Sequence, residues 1–418
     1  MPCLYTTVFR GPPPRRLPDA AVSLPRHTGM VTEALSEGMG EQERQPLRVS
    51  DFDARVLQTD EMGPEPDTAF LGLFGEIGSL VSALKKRRRD RDAYFGYERA
   101  VLEEVGDVLW YASAFARRGG TSLAEVASRA IGDRTPPNRV SLGEIAPPPK
   151  PFDEPSIERA LLDLAGEAGD IAHRFKNGAY KDNPDALRGD LVKLLRPLGQ
   201  ASAAFGVSLD IAGHRNVRKT ASRWRSNADW PPLFDDNLDP DEQLPRSLKI
   251  SIYQRSINGK DFVFQKCNGV LIGDRLTDNH DPPDFYRFHD IFHFAYSAVL
   301  GWSPVTRALF KVKRKSLPNV DENEDGARAI IIEEGLTTWL FETAKEHQFF
   351  ENTSQLGFDL LKAVKAFVIG YEPHGLPMWL WERAILKGYS VFREIKKEKR
   401  GVVVVDMEQR DLRYEPLP

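Results

Sequence analysis

In the run Leu102-Glu103-Glu104-Val105-Gly106-Asp107-Val108-Leu109-Trp110, two carboxylates are tied to one face of a helix. Val101, Val105, Val108, Ala112 and Phe115 recur at helical spacing and make an apolar stripe. Glu104 and Asp107 stand three positions apart and project as neighbours, and Glu103, four before Asp107, flanks them. Carboxylates this close repel unless a cation lies between them, and a hard dication with oxygen ligands suits them, Mg²⁺ first and Mn²⁺ as the alternative. An isolated acidic pair is more often a solvated face. What weighs against that here is a second amphipathic helix upstream, expected over about Thr68 to Lys86. Its stripe is Leu73, Ile77, Leu80, Val81 and Leu84; it carries Glu76 and ends in the basic run Lys85 to Arg89.

A glutamate on one helix, a basic tail, a loop and then the acidic helix resemble the MazG-type all-α nucleoside triphosphate pyrophosphohydrolases. The second half of that family's pattern, Glu-x-x-Asp followed by a Leu-Trp-Tyr-like run, is met by Glu104, Asp107 and Leu109-Trp110-Tyr111. The first half is altered, because the family's leading and trailing glutamates are Gly75 and Ser79 here. The resemblance implies Glu76, Glu104 and Asp107 as metal ligands, with Glu103 beside them in catalysis and Lys85 contacting substrate. A serine at position 79 removes one charged ligand.

The remaining chain reads as a repeat followed by a change of texture. Residues 1–45, rich in Pro, Gly and Arg, are expected to be disordered. Residues 46–140 make a first MazG-like copy, opening with a short helix through Phe52 and Leu57 and broken by Gly63-Pro64-Glu65-Pro66. Residues 141–155 read as a stiff Pro-rich linker. A second, degenerate copy spans 156–230: Glu167 and Asp170 sit three apart on its first helix, and Asp190 and Lys193 take the places of Glu104 and Asp107. Gly206-Val207-Ser208-Leu209 echoes Gly120-Thr121-Ser122-Leu123, and Pro197 is expected to kink the helix before it. The ending Asn216, Lys219 and Arg223 is similar to the family's Asn-x-x-Lys-x-x-x-Arg. That likeness implies substrate binding, with the two bases on the departing pyrophosphate, whereas a single basic residue on a terminal helix is usually solvated. Glu167, Asp170 and Asp190 would form a secondary acidic site or complete the first. Because family members pair such units, the resemblance implies an internal pseudo-dimer.

After an acidic linker over 231–245, residues 246–418 read as an α+β domain. Strands are expected at Leu248–Tyr253, Asp261–Phe264, Gly269–Ile272 and Gly401–Asp406, with a turn at Asn258-Gly259. His289 and His293, four apart, share a helix face at metal-ligand spacing, and Glu333 and Glu334 on another helix are their candidate partners. A core hydrogen-bonding role for the two histidines stands beside that reading. This domain resembles the C-terminal domain appended to some MazG-like proteins of conflict and defence systems. Lys311, Lys313, Arg314 and Lys315 could meet phosphate or form a solvated face.

The expected whole is therefore mainly α, a tandem helical bundle followed by an α+β domain. A net charge of −4 gives no general reason for nucleic-acid binding. Two cysteines, Cys3 and Cys267, exclude a disulfide scaffold and suit a reducing cytoplasm. No apolar run approaching transmembrane length and no signal-like leader is read, so no membrane partner is expected. The expected ligand is a nucleoside triphosphate, and further homo-oligomerisation is left open. The competing reading is a catalytically weakened nucleotide-sensing module that controls a C-terminal effector.

Overall fold

Proline and glycine set the helix boundaries of the N-terminal half, and apolar spacing sets which faces meet. The computed structural model describes residues 45–417 apart from 134 and 226–229, so the segment expected to be disordered lies, except for Gln45, outside the described residues. Helix α1 is Val49–Thr59, and α2, Pro66–Asp90, opens with a proline at its first position, where the missing N–H needs no partner. Helix α3 is Tyr97–Arg118. Helix α4, Leu123–Ala130, starts on a capping box: Glu125 N–H donates to Ser122 Oγ (3.2 Å) and Ser122 N–H to Glu125 Oε2 (3.1 Å). Helices α5 (Glu154–Lys176), α6 (Pro184–Phe205) and α7 (Leu209–Arg223) complete the bundle. Helix α6 runs through Pro197, which is buried with Leu194, Leu195 and Leu198.

Two hairpins, α2 with α3 and α5 with α6, pack on each other, and α7 lies along α3. One continuous core runs from Val49 to Ala212, drawing on both halves. The expected linker is partly docked. Val140 and Leu142 are fully buried, Val49 N–H donates to Val140 O (2.9 Å), and Leu142 N–H donates to Leu47 O (2.9 Å). The Asp210 carboxylate of α7 ties both strands of that contact by accepting from Leu47 N–H and Gly143 N–H.

Helix α2 is long and apolar enough, by length and composition alone, to cross a membrane, a property the residue-by-residue reading missed. Its Ala69, Phe70, Leu73, Ile77, Leu80, Ala83 and Leu84 are buried in the bundle, while Val81, expected in the stripe, is exposed.

The second core spans Leu244 to Leu412. Its antiparallel sheet, β1 (Ser247–Ile257), β2 (Lys260–Cys267), β3 (Val270–Leu271), β4 (Arg400–Asp406) and β5 (Asp411–Glu415), has the order β3-β2-β1-β4-β5. The strand after the last helix pairs with β1 in the register Ile250↔Val403, as the apolar run suggested; β5 was not foreseen. Helices α8 (Asp290–Leu300), α9 (Pro304–Phe310), α10 (Pro318–Asn323), α11 (Ala327–Glu346), α12 (Phe358–Phe367) and α13 (Met378–Glu398) follow, with α8 and α13 packed together against β4 and β5. Residues 231–245 are part of this domain rather than a free linker, because the buried Asp235 pairs with Arg246 and Arg307 and accepts from Leu244 N–H. Arg314 of the basic run is likewise buried against Asp325 and Glu372 and is not a free phosphate contact.

Gly106 lets α7 approach α3. A Cβ there would lie 2.8 Å from Ala212 O and 2.9 Å from Asn216 Cβ, closer than real contacts allow and partly against backbone. Gly106→Ala should therefore push α7 outward and destabilise the bundle by about 1–3 kcal/mol, read as a lowered urea midpoint at unchanged m.

Candidate metal centre

The antiparallel packing of α2 on α3 turns Glu76 toward Glu104 and Asp107, and one ligand oxygen from each lies within 4.8 Å of the others. Burial, the hydrogen bond with Glu76 and the Glu76 and Asp107 charges push Glu104 up to about 8. Burial raises Asp107 to about 6, against the opposing pull of Lys219. A carboxylate cluster this reluctant to ionise is short of positive charge. Two cations already face it. Lys219 Nζ of α7 lies 2.5 Å from each Asp107 oxygen and 3.4 Å from Glu103, and Asn216 Nδ2 donates to Asp107 Oδ1 (2.7 Å). Lys362 of α12 lies 2.9 Å from Glu103, and both lysines stand over the Phe358 ring. Although burial alone would raise Glu103, these two lysines hold it below the usual glutamate range. With every carboxylate ionised, four against two ammonium groups leave two negative charges, the charge of one divalent ion. The donor set is all oxygen, which fits Mg²⁺ or Mn²⁺. The side chains of Glu103 and Asp107 remain 27% and 16% exposed, so solvent reaches the cluster.

The other expected residues separate into those that join this centre and those that do not. Asn216 and Lys219 join it, although they grip carboxylates. Arg223 does not: it is buried between domains, paired with Glu382 (3.1 Å) and donating to Leu356 O (3.0 Å). Lys85 is exposed, nine residues beyond Glu76 and hence roughly 13 Å along the helix axis. The secondary acidic site is not assembled among the described residues. Asp190 is neutralised by Arg174 (3.0 Å) and Lys193 (3.1 Å) and accepts from Tyr180, while Asp170 is exposed and Glu167 half-buried. Lys193 thus binds the neighbouring acid. Ser79, one turn from Glu76, supplies no carboxylate.

In the C-terminal domain, His293 Nδ1 bonds Glu333 Oε1 (2.8 Å), and both side chains are buried. His289 lies against Asp290 (3.2 Å) and 3.9 Å from Glu334. Sequence reasoning missed Asp290, Lys362 and Phe358. Asp290 is adjacent to His289, and its Oδ1 lies 3.2 Å from His289 Nε2. Lys362 is 259 residues from Glu103, and no local pattern marks it.

Residues 229–418 match the family model described as the MazG C-terminal domain. No match was found among curated proteins or among solved structures. The MazG C-terminal domain covers the sheet, the histidine pair and Lys362, and therefore one of the two cations at the acidic cluster. The match ends short of the helical bundle itself.

Burial makes the cluster sensitive to pH. A carboxylate whose folded pKa is raised binds more protons folded than unfolded, so stability falls as pH rises between the two values. For Glu104 that window runs from 4.5 to about 8, and Asp107, raised from 3.8 to about 6, acts in the same sense. In chelator, the melting temperature should fall across this window, Glu104→Gln should flatten the fall, and saturating Mg²⁺ should reverse it; scanning calorimetry reads all three. Arg223→Ala strands the Glu382 carboxylate and should cost about 3 kcal/mol in chemical denaturation rather than merely weakening substrate binding.

Proposed function

We propose that the helical bundle is a metal-dependent nucleoside triphosphate pyrophosphohydrolase, converting a triphosphate and water to a monophosphate and pyrophosphate, in nucleotide-pool control or phage defence. The observation that carries this reading is the convergence of Glu76, Glu104 and Asp107 within 4.8 Å in a cluster left two positive charges short. The attached MazG C-terminal domain supports it from outside the site. The two hairpins are read as tandem MazG-like copies in an internal pseudo-dimer, the second with Lys193 where the first has Asp107; their shared core supports this.

Glu76, Glu104 and Asp107 would hold the ion, Mg²⁺ or Mn²⁺. When bound, such an ion neutralises phosphate oxygens and acidifies a water. The rest falls to the chain. Glu103, kept ionised by Lys219 and Lys362, can accept a hydrogen bond from the water aimed at the α-phosphorus. Lys219 places a fixed positive charge beside Asp107, where it serves the departing pyrophosphate, and Asn216 fixes the Asp107 carboxylate. Glu104, with its proton affinity near neutrality, is poised to exchange a proton for the ion.

A second reading, a nucleotide sensor with weakened turnover, is favoured by three observations. Both Asp107 oxygens are engaged by Lys219, Ser79 replaces a carboxylate, and Lys362 links the cluster to the C-terminal domain. A nucleotide panel with and without Mg²⁺ separates the two. Pyrophosphate release that needs the metal and drops about 100-fold or more in Glu104→Gln supports hydrolysis. Binding without release from any nucleotide overturns it in favour of sensing.

A further inference from the structure

Two histidines and two carboxylates of the C-terminal domain stand in an arrangement the acidic cluster does not use. Each histidine has one ring nitrogen committed to the protein. His289 Nδ1 is 2.9 Å from Tyr286 O, and His293 Nδ1 is 2.8 Å from Glu333 Oε1. Glu333 is itself held by Ser303 Oγ (2.6 Å) and Val305 N–H (2.9 Å), so this buried carboxylate is a fixed acceptor. That commitment puts the Nδ1 proton toward Glu333 and turns Nε2 into the free face of the ring. The second nitrogens meet. His293 Nε2 is fully buried and has no hydrogen-bond partner, with Glu334 Oε1 at 3.5 Å, beyond good hydrogen-bonding range. His289 Nε2 lies 3.2 Å from Asp290 Oδ1 and 3.9 Å from Glu334 Oε2. The other Asp290 oxygen accepts from Gln265 on β2. Ligand atoms of His289, Asp290 and His293 fall within 4.8 Å of one another.

We propose that His289 and His293, through Nε2, with the carboxylates of Asp290 and Glu334, form a second divalent-metal site that takes a transition metal of the Zn²⁺ class. The donor set decides the class: imidazole nitrogens favour Zn²⁺, Fe²⁺ and their neighbours, whereas Mg²⁺ and Ca²⁺ prefer oxygen alone. The supporting contacts decide the preorganisation. Tyr286 O, Glu333 and Gln265 orient three of the donors from separate elements, the pattern by which proteins fix metal-binding rings before the ion arrives. Exposure decides the form of the site. His293 is buried, but the side chains of Asp290 and Glu334 are 18% and 40% exposed, so one side faces solvent and leaves a coordination position for water. The bundle's all-oxygen cluster and this nitrogen-containing one would then take different metals in one chain.

The alternative is a histidine held between Glu333 and Glu334 with no metal at all. Chelator-treated full-length protein titrated calorimetrically with Zn²⁺ alone separates the two, with Co²⁺ absorption bands reporting nitrogen ligation. Asp290→Asn and Glu334→Gln should each weaken the same Zn²⁺ ion at least about 10-fold, and Glu104→Gln, which acts only on any ion taken up by the bundle's oxygen cluster, should leave that ion bound. Both C-terminal variants change partly exposed, near-isosteric groups, and circular dichroism confirms folding. Absence of Zn²⁺ binding, binding indifferent to both C-terminal substitutions, or binding abolished by Glu104→Gln would each overturn the site.

Discussion

The carboxylates gathered where α2 meets α3 cannot be packed together without cations, and the fold brings those cations from far along the chain. Lys219 comes from α7 and Lys362 from α12 of the other domain. The Lys219–Asp107 contact is not an ordinary surface ion pair, which contributes little on its own, whereas the Lys362–Glu103 pair is partly exposed. Asp107 is largely buried and raised toward neutrality even with Lys219 against it, so removing the lysine would leave a desolvated charge. Gly106, the residue beside Asp107, supplies the clearance α7 needs to bring Lys219 and Asn216 within reach. Backbone approach and charge balance are thus one constraint.

Helix α7 carries the consequence into the second domain. Lys219 and Arg223 are four apart and share a face, one gripping Asp107 and the other anchored to Glu382 and the Leu356 carbonyl. Ser222 accepts from Met378 N–H at the start of α13, and Lys362 reaches back to Glu103. A shift of the C-terminal domain would therefore be felt at the carboxylates through two independent contacts. That is a physical basis for coupling between the acidic cluster and the C-terminal domain.

What was legible in the sequence was local. The stripes of α2 and α3 placed Glu76, Glu104 and Asp107 on faces that do meet, and Asn258-Gly259 gave the β1–β2 turn. What failed depended on partners distant in the chain. Arg223 has the spacing of a phosphate ligand, but only the docked position of α13 shows that Glu382 uses it. Proline content suggested a free linker over 141–155, whereas Val140 and Leu142, at its entry, are core residues stitched to α1. The Asp190 region failed for a different reason. An acid beside a base at helical spacing satisfies itself, so the likeness to Glu104 and Asp107 did not carry a second site.

The two clusters differ in how each meets the electrostatic problem of buried ligands. In the bundle, carboxylates repel one another and are quieted partly by lysines, which any ion of the proposed centre would have to share or move. In the C-terminal domain the donors are turned inward by hydrogen bonds at their far ends. Glu333, held in place by Ser303 and Val305, cannot follow His293 if that ring rotates without giving up those bonds. Ring orientation is thus set by the rigid packing between α8, α9 and α11. A centre held by competing charges can respond to a domain shift through Lys362, whereas one held by hydrogen bonds resists it. The chain therefore joins a compliant oxygen site to a stiff nitrogen one, and α7 with α12 is the part of the fold through which the second domain can act on the first.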